Sequence, residues 1–106
     1  MKKLPKEKRR EASQRILKTL ERSRFDIQKY KVKKLGLFGS FSKGTYHAKS
    51  DLDFLVQFKN PTFDNYMDLK FLLEKLFHRK VDLVIEDSLK PSLRYVKKEA
   101  YYVKGL

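Results

Sequence analysis

With 106 residues, 26 Lys/Arg against 13 Asp/Glu and a formal net charge of +13, the chain has material for one domain with a modest core and too little for two. The absence of cysteine rules out disulfides and cysteine-ligated zinc and fits a reducing compartment. No stretch approaches the roughly 18 apolar residues of a membrane-spanning helix, and the basic start Met1-Lys-Lys-Leu-Pro lacks a signal peptide's apolar segment, so the expected location is the cytoplasm.

From about Glu7 to Arg24, Ala12, Ile16, Leu17 and Leu20 recur at helical spacing among charges, which predicts an amphipathic helix packed on the domain. Residues 1–34 carry +10 of the net charge. Such a segment suits nucleic-acid phosphates or an acidic protein partner, and is equally well read as a solvated helix face, since no aromatic residues interleave with the charges.

Val32 to Phe38 reads as a first strand that Gly39 ends, with one short helical turn from Phe41 to Lys43 and a loop from Thr45 to Ser50. From Ser50 to Phe58 a second strand alternates: Leu52, Phe54, Val56 and Phe58 on one face, Asp51, Asp53, Leu55 and Gln57 on the other. Asn60-Pro61-Thr62 opens a helix that runs to about Phe77 and returns the chain to a third strand, Val81 to Ile85. Asp87-Ser88 and Pro91 introduce a last helix carrying Leu93, Val96 and Ala100, and Tyr101-Tyr102 adds a short edge strand. A short link pairs the first two strands antiparallel and a helical crossover makes the third parallel, which gives an α/β domain: a small mixed β-sheet with flanking helices.

Asp51 and Asp53 project to one side, roughly 6 to 7 Å apart at Cα, a separation from which two carboxylates converge on cations. Hard oxygen ligands of this kind suit Mg2+, which keeps water and substrate phosphates as its remaining ligands. Gly39 brings backbone close to a ligand and Ser40 adds a hydroxyl, which together suit phosphate. Gly39 and Gly44 have the spacing of a Walker A loop, but Thr45 and Tyr46 stand where Lys and Ser/Thr are required, so that reading is rejected. Ser40 as a nucleophile lacks both a histidine motif and a G-x-S-x-G elbow. His47 and His78, in a loop and at a helix end, are read as surface residues. Lys49, near the aspartates, is read equally as a phosphate contact or a plain surface lysine.

Gly39-Ser40, Gly44 and Ser50-Asp51-Leu52-Asp53 resemble the G-S-x-x-x-G…D-x-D signature of the polymerase-beta-like nucleotidyltransferase superfamily. The wording from Leu37 to Val56 is similar to the minimal nucleotidyltransferase (MNT) antitoxins within it. The resemblance spans roughly residues 30 to 103 and implies that fold for a single domain over 1–106. It also implies transfer of a nucleotide from ATP to a hydroxyl, with two Mg2+ ions on Asp51 and Asp53. The third carboxylate that the family carries on a neighbouring strand is matched by Asp82, which opposes the buried alternation of Val81, Leu83 and Ile85. Asp82 would share a metal and accept the attacking hydroxyl's proton. Gly39, Ser40 and Lys43 would hold phosphate, Lys43 standing where many family members have arginine.

The partner that the resemblance implies is a HEPN-domain toxin, neutralised by attachment of AMP to a tyrosine. Two alternatives stay open: an antitoxin that blocks the toxin by contact alone, and a nucleotidyltransferase acting on RNA with the basic N-terminal segment as its electrostatic track.

Overall fold

The computed structural model describes residues 6–43, 46 and 50–106, with the backbone alone for residues 6–10, 42 and 43. Helix α1 (Lys6–Arg22) is followed at once by a short α2 (Arg24–Gln28), β1 (Val32–Phe38), a single turn α3 (Ser40–Lys43) and β2 (Leu52–Phe58). Helix α4 (Phe63–Phe77), β3 (Val81–Ile85), two 3-10 turns (Glu86–Ser88 and Pro91–Leu93), α5 (Val96–Glu99) and β4 (Tyr101–Tyr102) complete the chain.

The four strands form one mixed sheet in the order β3-β2-β1-β4, with β1 antiparallel to β2 and β4, and β2 parallel to β3. The mixed sheet expected from the link lengths is therefore present, and Tyr101-Tyr102 forms its short edge strand. The last helix, expected to carry Leu93, Val96 and Ala100, is shorter: Leu93 falls in a 3-10 turn, Ala100 caps the helix end, and Val96–Glu99 is α-helical. Pro91 opens the second of these turns at a position where its missing N–H costs nothing, and the chain turns again before Val96.

Helix α1 buries Ala12, Ile16 and Leu20, the stripe read from its spacing. It meets Ile27 of α2, Leu69 and Leu73 of α4 and the inward row Leu52, Phe54, Val56 and Phe58 of β2 in one core. In β1 both Val32 and Leu35 point into that core because the register shifts between Val32 and Lys34. A bulge of one extra residue resets the period-two alternation, which strict alternation from Val32 could not deliver.

Helix α4 starts where Thr62, extended at φ −83 and ψ 157, accepts a hydrogen bond on its side chain from the Asn65 N–H at 3.1 Å, and it ends on His78 in the left-handed region at φ 51. A threonine at this position satisfies one of the four N–H groups that a helix start leaves unpaired.

The sheet's second face is divided. Leu55 is fully buried although it lies outside the helical core, and its cross-strand partner Gly36 faces the Tyr102 ring and Ala100, which a Cβ there would meet at 2.9 and 3.3 Å. The C-terminal segment therefore covers this half. The other half, carrying Asp51 and Asp82, is exposed.

Candidate active site

Three elements of different origin converge at the open end of the sheet. Strand β2 begins at Leu52, two residues after the expected start at Ser50, so Asp51 sits just before the strand rather than inside it. Asp53 lies within β2, paired with Phe38 of β1 on one side and with Asp82 of β3 on the other. Because adjacent strands run about 4.8 Å apart and paired residues project to the same face, Asp53 and Asp82 are direct neighbours.

The Gly39 turn closes over Asp53. Gly39 has φ +74, a conformation that side chains with a Cβ rarely adopt, and a Cβ built there would collide with Asp53 Oδ2 and stand 2.8 Å from its Cγ. Glycine is required twice over, for backbone angle and for space. The next residue, Ser40, donates its backbone N–H to the Asp53 carboxylate. The sequence assigned this turn to phosphate alone; here the same turn also grips the second aspartate of the D-x-D pair.

The electrostatics of Asp53 follow from this placement. Burial, then the neighbouring charges of Asp82 and Asp51, raise its carboxyl pKa from 3.8 to about 6, while the Ser40 N–H pulls the other way. Desolvation and like charge both disfavour the ionised form, so the group acquires its full charge only near neutrality unless a cation is present.

The acids fit a divalent cation by their chemistry. They are hard oxygen donors crowded enough to repel, and Mg2+ is satisfied by one or two carboxylates with water and phosphate completing its shell. Among the described residues, no three His, Cys, Asp or Glu side chains are already gathered as a metal-holding group.

The remaining residues named from the sequence are placed as follows. Gly39, Ser40, Asp51, Asp53 and Asp82 come together at this end of the sheet. Lys43 closes α3, and its side chain lies outside the described residues, as do Gly44, His47 and Lys49. His78 is exposed at the end of α4, consistent with a surface residue.

Two neighbours escaped the sequence reading. Tyr66 on α4 donates its hydroxyl to the Leu83 carbonyl at 2.6 Å, one residue past Asp82, and burial together with the Asp82 charge pushes its phenol pKa up. Arg79, just before β3, reaches the Ser50 carbonyl at 3.0 Å. Neither carried a signal in the sequence, because each contact joins segments 17 and 29 residues apart.

A family profile described as a nucleotidyltransferase domain matches residues 7–103. A Methanocaldococcus jannaschii protein assigned as a protein adenylyltransferase is 42% identical over 73 residues, 66% of this chain and 71% of that relative. The protein adenylyltransferase MntA of Thermococcus cleftensis is 36% identical over 78 residues, 72% of this chain and 79% of its own length.

Among solved structures, one assigned as a minimal nucleotidyltransferase superposes with a TM-score of 0.65 at 36% identity, covering 79% of this chain and 92% of that one. A toxin-antitoxin crystal structure with AMP-PNP gives 0.64 at 25% identity, over 81% and 73%. A tri-AMPylated Shewanella oneidensis HEPN toxin in complex with MNT antitoxin gives 0.59 at 20% identity, over 85% and 73%, a likeness of fold.

Proposed function

The chain belongs to the nucleotidyltransferase domain family, and from that premise we propose that it is a metal-dependent protein adenylyltransferase antitoxin, moving AMP from ATP to a tyrosine hydroxyl of a HEPN-domain toxin. The observation that carries this reading is the register of Asp53 with Asp82 beneath a Gly39-Ser40 turn that contacts Asp53 directly. The whole chain would work as one such domain, in the cytoplasm where ATP is available.

In this reading Gly39, Ser40 and Lys43 hold the triphosphate, and Asp51, Asp53 and Asp82 hold two Mg2+ ions. When bound, those ions supply charge stabilisation to the attacking and leaving oxygens. The protein's own part is placement and proton transfer. The acceptor hydroxyl oxygen bonds to the α-phosphorus as the bond to the departing pyrophosphate oxygen breaks, and the hydroxyl proton passes to the Asp82 carboxylate. Asp82 is exposed, as a base must be when its substrate is a side chain of another protein.

A protein acceptor is favoured over RNA by the adenylyltransferase relatives and by the likeness to a toxin-antitoxin complex at 25% identity.

The test incubates the chain with Mg2+, labelled ATP and a candidate HEPN partner, beside an Asp51→Ala/Asp53→Ala variant. Label on a partner tyrosine with the wild type and none with the variant is the expected result. If no label appears while the variant still neutralises the toxin, inhibition is by contact; label on added RNA alone would favour the RNA reading.

A further inference from the structure

Asp51 occupies an exposed position with no ladder to hold it. The β2–β3 pairing begins at Leu52 and Val81, with the Leu52 N–H bonded to the Lys80 carbonyl at 3.0 Å. One residue earlier, regular pairing has ended, and a strand end left to solvent frays. The carboxylate that the site needs at this point therefore depends on some contact outside the sheet.

Arg79 supplies it. Its Nη1 donates to the Ser50 carbonyl at 3.0 Å across 29 residues of sequence, extending the hold on this strand one step past the ladder, next to Asp51. The same guanidinium lies 5.0 Å above the Phe41 ring. Phe41 is the residue after Ser40, is itself 95% buried, and is held from the other side by Ser13 of α1, whose hydroxyl donates to the Phe41 carbonyl at 3.1 Å. A planar guanidinium is suited to this double duty, since it donates in its plane and stacks by its face.

We propose that Arg79 is a positioning residue that ties the Gly39-Ser40 turn, the Ser50-Asp51 approach to β2 and the start of β3 into one rigid frame, fixing Asp51 and Ser40 relative to Asp53 and Asp82. The inference rests on the transferase reading for its kinetic consequence and on geometry alone for its structural one. Arg79 does not touch the reacting atoms. It acts through Ser50 and Phe41.

The kinetic test compares Arg79→Met and Arg79→Lys with the wild type in labelled-AMP transfer to the partner. Arg79→Met is expected to lower kcat about ten- to a hundredfold, the range typical of groups that support metal ligands, and to raise the Mg2+ concentration for half-maximal rate, with the ATP KM changed by less than about threefold. Arg79→Lys keeps the charge and loses the plane, so it recovers only part of kcat. Arg15→Met, removing a guanidinium that lines, with Arg79, an open pocket of about 190 Å³ between α1, α3 and α4, leaves kcat unchanged. A wild-type kcat in Arg79→Met, or a fall no larger than its loss of folded protein, overturns the proposal.

A second measurement stands apart from activity. In Arg79→Met the Leu52 amide should exchange its hydrogen faster relative to the Leu55 amide, which lies in the central β1–β2 ladder opposite Gly36; an unchanged ratio overturns the clamp. Failure of the wild type to transfer AMP to any acceptor sinks the proposed function instead, and the exchange ratio still decides the role of Arg79.

Discussion

Asp53 lies where a carboxylate is costly to ionise, half-buried against Gly39 with Asp82 on the next strand and Asp51 two residues before it. Its pKa of about 6 exceeds the ordinary value of 3.8, so the folded state binds this proton more tightly than the unfolded chain does. That preference contributes its full stability below about pH 4 and is lost as pH rises through about 6. Asp53→Asn keeps an acceptor for the Ser40 N–H and removes the charge. The variant is expected to be more stable than the wild type at pH 7.5 without Mg2+, by on the order of 1 kcal/mol after allowing for solvent screening of a half-exposed group, and to lose transfer activity. Thermal melts between pH 4 and 8 check it: a wild type whose advantage grows with pH would refute the assignment. That the aspartates gather beside the glycine turn was legible in the sequence, because the alternation of β2 and β3 sets Asp53 and Asp82 on one face and Gly39 ends the strand paired with Asp53. The grip of Ser40 on Asp53 was not, because a backbone amide carries no residue-type signature.

Strand β3 is an edge strand whose outer side is paired by helix α4 rather than by another strand. The Val81 N–H goes to Glu74 Oε2 at 3.1 Å and the Leu83 carbonyl takes the Tyr66 hydroxyl at 2.6 Å. Side-chain caps of this kind blunt an edge that could otherwise pair with a second chain, and they hold Asp82 between their two attachment points. Tyr66→Phe removes one cap without disturbing the ring's packing. It should cost about 1 kcal/mol, or about 4–8 °C in Tm, by the net worth of one such bond, and should slow transfer through β3 rather than through ATP affinity. A melt and rate equal to the wild type would show that the cap holds nothing. Elements with a clear period and punctuation were read from sequence almost to the residue: β1, α4 and β3 fall where Val32 to Phe38, Thr62 and Val81 to Ile85 placed them. The bulge near Lys33 and the turns after Glu86 were not, since both answer to tertiary fit, the first to the core under Val32 and Leu35, the second to the sheet face that the tail must cover.

Among the described residues, one face of the sheet packs against helices and the Leu55 half of the other is covered by the C-terminal segment, so the integrity of that thin cover decides whether Leu55 stays dry. Its anchor is Glu86, 93% buried, hydrogen-bonded by the Tyr102 hydroxyl and 3.6 Å from Lys97 Nζ through Oε1. Its Oε2 has no hydrogen-bond partner among the described residues. Burial, followed by the Glu86 charge and hydrogen bond, raises the Tyr102 phenol pKa, and Lys34 rests 4.8 Å above the same ring. A buried carboxylate with one unpaired oxygen depends on its nearby cation, because the desolvation already incurred is offset by little else. Lys97→Met is therefore expected to destabilise the fold by about 1–3 kcal/mol, below the cost at a fully enclosed pair because the Lys97 side chain is 36% exposed. Adding Glu86→Gln to Lys97→Met removes the stranded charge and should return part of the loss, a coupling that two melts and a double-mutant cycle measure. If the double variant is less stable than the sum of the two single changes, Glu86 is held by its shape and not by its charge, and the C-terminal cover is a packing feature rather than an ionic one.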